Sequence, residues 1–210
     1  MCGLCGVNGT NYNGNGKAFR ELLIANEGRG KEATGVMWKH TDGDELLTKK
    51  YPLAAREFLS EILEIPNWTK TEILIGHTRF STVGNPKNNV ENHPHSYGDW
   101  TIVHNGVISD VDGLYKLCGI KRRVLCDSAV IPAVFHRFGF EKGLEKLGGW
   151  FAIVAINKIE PHKVYLAKNG SYNSTIFIGR TVSNNMIFSS EERPVKALSV
   201  SHFQASCNSW

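Results

Sequence analysis

The chain has 210 residues, 41% hydrophobic and 21% charged, which is enough apolar mass for one well-buried core and too apolar for a disordered chain. Its net charge of +4 is dispersed; Lys121-Arg122-Arg123 is the one basic triplet and reads as a solvated face, so no nucleic-acid partner is expected. The longest apolar run, Trp150 to Ile156, is far too short to span a membrane, and five cysteines with no leader-like charged start and apolar run before them point to a reducing, cytoplasmic setting.

In chain order, β-branched and apolar runs predict strands at Gly3–Val7 and Thr34–Trp38, separated by a helix with 3.6-residue apolar spacing at Ala18–Glu27. A helix at Ala54–Leu63 follows, then strands at Glu72–Thr78 and Trp100–His104 and helices at Val111–Leu117, Ser128–Phe138 and Glu141–Leu147. Strands at Trp150–Asn157, Lys163–Ala167, Thr175–Ile178 and Met186–Phe188 close the chain. Strands run together at both ends with helices clustered between them, an α+β pattern, and no linker or repeat divides the chain. The segment Asn11 to Ala18 looks like a phosphate loop but lacks its first glycine and its magnesium-binding hydroxyl, so nucleotide binding there is rejected. Cys2 and Cys5 form a C-x-x-C without a second such pair, so no zinc site is expected.

Cys2 carries the most chemistry. A small residue at position 2 suits removal of Met1, which would leave one residue bearing both a thiol and a free α-amine. The thiolate is the attacking species, and an amine with a pKa of about 8 can take the thiol proton directly or through one water. Taken alone, Cys2 fits better as a small apolar residue on the first strand.

The series after the third strand changes that balance: Gly76-His77-Thr78-Arg79-Phe80-Ser81-Thr82-Val83-Gly84, Asn92-His93-Pro94-His95 and His104-Asn105-Gly106. With Met1-Cys2-Gly3, Arg29-Gly30, Thr34-Gly35-Val36, Asp127-Ser128-Ala129, Gly148-Gly149-Trp150 and Ser189-Ser190-Glu191-Glu192-Arg193-Pro194, it resembles the glutaminase domain of class II glutamine amidotransferases, which are N-terminal nucleophile hydrolases. The resemblance runs from Cys2 to about Leu198 in family order. It implies a four-layer αββα sandwich over residues 2–210 as a single domain.

It also implies roles. Cys2 would be the nucleophile, and the Asn105 side-chain amide and Gly106 backbone N–H the oxyanion donors, although Asn-Gly by itself reads as a tight hairpin turn. Arg79 would pair the α-carboxylate of glutamine through its two-pronged guanidinium, Thr82 would add a hydroxyl, and Asp127 would pair the α-ammonium; on their own Arg79 reads as an exposed salt-bridging residue and Asp127 as a helix N-cap. Arg29, His77, His93 and His104 would shape the site. No metal or organic cofactor is implied.

Val83, Phe80 and Ala129 depart from the sugar-phosphate-making relatives, and Arg79-Phe80-Ser81-Thr82 leans toward the phosphoribosylamine-making branch. The sequence ends at Trp210, so the expected reaction is hydrolysis of L-glutamine to L-glutamate and ammonia through a Cys2 thioester, with a separate synthase accepting the ammonia and the loop from Val83 to Asn92 serving as a mobile lid. Two other readings stand beside it: a non-catalytic interaction or structural module that keeps the fold, and an N-terminal cysteine hydrolase of another amide.

Overall fold

The alternation of side chains along the first strand already divides the molecule into layers. In β1 (Gly3–Asn8) Leu4 faces one way, into a cluster with Val103, Val154 and Ile156, while Cys5 and Val7 face the other, into a cluster with Phe19, Leu22 and Leu23. A computed structural model describes residues 1–10, 14–61, 70–170 and 174–206. Among these, β1 pairs antiparallel with β4 (Thr71–Arg79) on one side and β10 (Met186–Ser189) on the other. β2 (Ala33–His40), β3 (Leu46–Tyr51), β9 (Phe177–Arg180) and β11 (Ser201–Gln204) complete a seven-stranded sheet in the order β11-β9-β10-β1-β4-β2-β3.

The second sheet has the order β5-β6-β7-β8, from β5 (His95–Tyr97), β6 (Trp100–Ser109), β7 (Gly148–Asn157) and β8 (Tyr165–Asn169). Leu4, Met37, Ile73, Ile75, Val103 and Val154 fill the space between the sheets. Outside the larger sheet, α1 (Asn15–Asn26), α2 (Ala55–Glu61) and α6 (Glu192–Leu198) bury Phe19, Leu22, Phe58 and Val195. Outside the smaller, α3 (Val111–Cys118), α4 (Ile131–Phe138) and α5 (Phe140–Leu144) bury Leu114, Val134, Phe135 and Leu144 against Trp100 and Phe151. These are the expected αββα layers.

Three differences from the sequence expectation matter. β6 runs unbroken through Asn105-Gly106, whose partners across to β7 are Ala152 and Phe151, so the dipeptide is strand and not a hairpin turn. The edge strands β3, β5 and β11 and helix α6 carry little periodicity and were not expected. The expected helix to Leu63 is described only to Glu61, and Asn11–Asn13 of the phosphate-loop look-alike lie outside the described residues, as do Ile62 and Leu63. No described helix is long and apolar enough to cross a membrane.

One buried charge is built into β2 and β4. The Lys39 side chain is 0% exposed and its Nζ lies 3.1 Å from Glu72 Oε2, with exposed Asp44 at 3.9 Å. Removing one partner of such a pair strands an ion in a low-dielectric interior. Glu72→Ala should therefore destabilise the fold by about 3–5 kcal/mol in urea unfolding, and the double change to Lys39→Met with Glu72→Leu should recover most of the loss. A wild-type midpoint for Glu72→Ala would show that the pair is not structural.

Candidate active site

The site forms where the ends of β1 and β4 meet the middle of β6. Register pairs Gly3 with Thr78 and Ala33 with Arg79, so Cys2, just before β1, and Arg79, the last residue of β4, sit at the same end of the large sheet. Strand alternation turns His77 and Arg79 toward the smaller sheet and Thr78 toward α1, where its Oγ1 donates to Asn26 O at 2.8 Å. His77 Nε2 donates to the backbone oxygen of His104, 3.0 Å away on β6, and this bond ties the two sheets together.

Cys2, Arg79, Thr82, His93, His104, Asn105, Gly106 and Asp127 line one pocket of about 270 Å³, whose wall also includes Met1, Cys126, Ser128 and Trp150. The structure thus brings together every expected nucleophile, oxyanion and substrate-binding residue. Arg29 stands behind the pocket: its Nε donates to Cys2 O at 2.8 Å and its guanidinium pairs with Glu191 at 3.0 Å, fixing the backbone of the second residue. His77 lies behind it as well, against His93 with ring centroids 3.9 Å apart and planes tilted by 31°.

Cys2 Sγ donates to Phe80 O at 3.5 Å. Burial pushes its thiol up to about 11, only partly offset by that bond, so with Met1 attached the sulfur is protonated at neutral pH. Gly106 has φ +147°, and a Cβ there would lie 2.1 Å from Trp150 O and 2.8 Å from His104 Nε2. No other residue fits at this point of the pocket wall.

Arg79 is 2% exposed and is not the surface ion-pairing residue that its sequence context permits. Nη1 donates to Asn92 Oδ1 and Nη2 to Val83 O, both at 2.6 Å. Two of its five N–H donors are spent on holding its plane, which leaves others for a ligand carboxylate. Asn92 in turn donates to Pro86 O at 2.7 Å and Asn89 Oδ1 at 3.1 Å, so the segment expected as a mobile lid is knitted around the arginine. Asp127 does not cap α4 through the N–H two or three residues on: Oδ2 accepts from Ile108 N at 2.8 Å and Oδ1 from Ser128 N at 2.9 Å, which anchors the carboxylate to β6.

Sequence reasoning passed over Asn92, Glu91, Cys126 and Ser128 as individual participants. Asn92 adjoins the His-Pro-His string and was open to recognition there; buried Glu91, which accepts from Cys126 N at 2.7 Å and Leu125 N at 3.1 Å, had no local signal. His95 was passed over too. It joins His77, His93 and His104 in a buried group, with the His93 and His95 rings 4.6 Å apart.

Burial holds all four imidazoles neutral, His104 down to about 4 and His77 to about 3, with His93 and His95 also well below the ordinary value. The unfolded chain takes protons below about pH 6.5 while the folded one does not, so stability present above that pH is lost as pH falls toward the folded values. Each imidazole contributes a slope of about 1.4 kcal/mol per pH unit in that window. Urea midpoints should therefore fall steeply between pH 6.5 and 5, before most carboxylates titrate, and less steeply in a His95→Asn variant. A flat profile over that range would mean that these rings are accessible to protons in the folded state.

Comparisons with known proteins identify the family. A family model described as a glutamine amidotransferase domain matches residues 64–209. The chain is 33% identical over 203 residues to an isomerizing glutamine–fructose-6-phosphate aminotransferase of Listeria innocua, covering 90% of the chain and 32% of the relative. A protein of the same description from Halalkalibacterium halodurans is 29% identical over 188 residues, covering 81% and 29%. The chain spans about a third of the length of these curated relatives. Among solved structures, a glutamine phosphoribosylpyrophosphate amidotransferase from B. subtilis superposes with a TM-score of 0.69 at 19% identity, covering 94% of this chain and 44% of that one. A glutamine aminotransferase class-II domain protein from Silicibacter pomeroyi gives 0.58 at 12% identity, covering 90% and 88%.

Proposed function

The chain belongs to the class II glutamine amidotransferases, and on that premise we propose that it hydrolyses the side-chain amide of free L-glutamine, with Cys2 as nucleophile once Met1 is removed. The observation that carries this reading is the single pocket in which Cys2 meets Asn105 and Gly106 on one side and Arg79 and Asp127 on another. Its volume of about 270 Å³ is at the small end for ligand sites and suits one amino acid.

Removal of Met1 has two effects. It takes away a side chain that now forms part of the pocket wall, and it converts the Cys2 amide into an amine beside its own thiol. The thiol proton passes to that amine as sulfur attacks the glutamine amide carbon, and the carbonyl oxygen becomes an oxyanion facing Asn105 and Gly106. Collapse breaks the C–N bond; the amine returns the proton to the departing nitrogen, which leaves as ammonia, and a γ-glutamyl thioester remains. Water then adds to the thioester, the C–S bond breaks, and glutamate leaves with the thiol restored. Arg79 and Asp127 hold the α-carboxylate and α-ammonium, with the Thr82 hydroxyl beside the former, so a peptide lacking both charges binds poorly. A separate acceptor synthase uses the ammonia before it is protonated in bulk water. A reducing compartment such as the cytoplasm keeps the nucleophile as a free thiol.

Intact mass should show a chain beginning at Cys2 that releases ammonia from glutamine, and Cys2→Ala should abolish release. Undiminished release by Cys2→Ala would sink the mechanism. Asn105→Ala should lower kcat by about two to three orders of magnitude with little change in the Michaelis constant. Arg79→Lys should instead raise the Michaelis constant strongly, since an ammonium cannot reproduce the fork held by Asn92 and Val83. Equal steady-state constants for Arg79→Lys and the parent would remove the arginine from recognition.

A further inference from the structure

His93, His95 and Cys126 form a group that takes no part in the bond-making or proton-transfer steps just described. Each offers one ligand atom, and these atoms lie within 4.8 Å of one another. All three residues are buried, at 3%, 6% and 4% exposure. Both ring nitrogens of His93 and Nε2 of His95 have no hydrogen-bond partner and expose less than 1 Å² to solvent. A neutral imidazole carries one donor and one acceptor, and leaving such groups unpaired in an interior costs about 1–3 kcal/mol each. A water molecule needs room and two or more polar partners, whereas a bare cation sits in the gap between ligand atoms.

We propose that His93, His95 and Cys126 bind one soft divalent transition-metal ion, of which Zn²⁺ is the type, with the fourth position open to the glutamine pocket. Ideal tetrahedral bonds of about 2.3 Å to sulfur and 2.0–2.1 Å to nitrogen put ligand atoms about 3.4–3.6 Å apart, so side-chain rotation of about 1 Å closes the site. Binding displaces the Cys126 thiol proton to solvent and forms a metal–thiolate bond. Lys50 Nζ donates to Asn92 O at 2.6 Å and Pro94 O at 2.8 Å, and the Arg79 guanidinium is held at Asn92 Oδ1. These cations repel a hard ion held by charge alone, such as Ca²⁺ or Mg²⁺, and select an ion that gains from imidazole and thiolate bonding. His93 and Cys126 both face the glutamine pocket, while His95 faces a neighbouring cavity of about 720 Å³, so the three occupy the wall between the two.

The position says what the ion does. His93 follows Asn92, which holds Arg79, and Cys126 precedes Asp127. An ion across these segments fixes the separation of the two groups proposed to read the α-carboxylate and α-ammonium. The site was invisible in sequence because Cys126 lies 33 and 31 residues beyond His93 and His95 and is the one cysteine of the group.

The test uses the full chain carrying Cys2→Ala, so that the nucleophile cannot supply the thiolate and a failed glutaminase reading leaves the result intact. After incubation with Co²⁺ and removal of excess, one ion per chain is expected, with a thiolate-to-cobalt charge-transfer band that Cys126→Ser and His95→Asn abolish. Zn²⁺ should raise the Tm of the Cys2→Ala chain, and a chelator should reverse the rise. Substoichiometric metal with no Tm response in that chain, or a band that persists in Cys126→Ser, overturns the proposal. The Tm comparison needs neither further variant, so it decides the matter even where they fail to fold.

Discussion

The hydrogen bond from His77 Nε2 to His104 O is the constraint on which the candidate site depends. The proposed nucleophile, Cys2, adjoins one sheet and the proposed oxyanion donors, Asn105 and Gly106, lie on the other, so their separation is set by how the sheets face each other. Apolar packing of Leu4, Ile75, Val103 and Val154 holds the layers together but is non-directional. A directional bond joins β4 to β6 one residue from Asn105 and two from Arg79. It requires the proton on Nε2; burial keeps the ring neutral by holding His77 near 3, although the bond itself pulls the other way.

A second set of contacts does the same for the arginine. Arg79 is oriented by Asn92 and the Val83 carbonyl, Asn92 by Pro86 and Asn89, and the next residue back, Glu91, reaches across to the backbone of Leu125 and Cys126. The carboxylate of Asp127, one residue further, is anchored to Ile108 on β6. The two charged groups proposed to read an amino acid are therefore linked through one chain of polar contacts, and displacement at either end is felt at the other.

How much of this was legible depended on whether the cause was local. The 3.6-residue spacing of Phe19, Leu22 and Leu23 marked α1, and Gly3 to Val7 marked β1, because each element buries one face against the core. β3, with Leu46 and Leu47 adjacent and Lys49 and Lys50 following, has no alternation to detect and is defined by its pairing with β2. Asn105-Gly106 carried a strong turn signal that the tertiary structure overrides: ten pairs between β6 and β7 outweigh a local preference for a bend, and a glycine is needed there because Trp150 O leaves no space for a Cβ. Family resemblance assembled the site residues in order, yet it gave no hint that Arg79 is buried, that Asp127 bonds to Ile108, or that His95 meets Cys126. Those facts come from chain segments far apart in sequence.

The place of β1 in the large sheet bears on the order of events while the protein is made. β1 pairs with β4 and β10, and Leu4 N donates to Ser190 Oγ across 186 positions of sequence. The first strand therefore has only part of its final surroundings until nearly the whole chain has left the ribosome. In the closed fold Met1 forms part of the pocket wall beside Cys2, so the proposed removal of Met1 has its freest access before the sheet closes. Late closure of the sheet thus leaves the start of the chain reachable for longest, and the pocket proposed for Cys2 is incomplete until Asn105 and Gly106 on β6 have also folded.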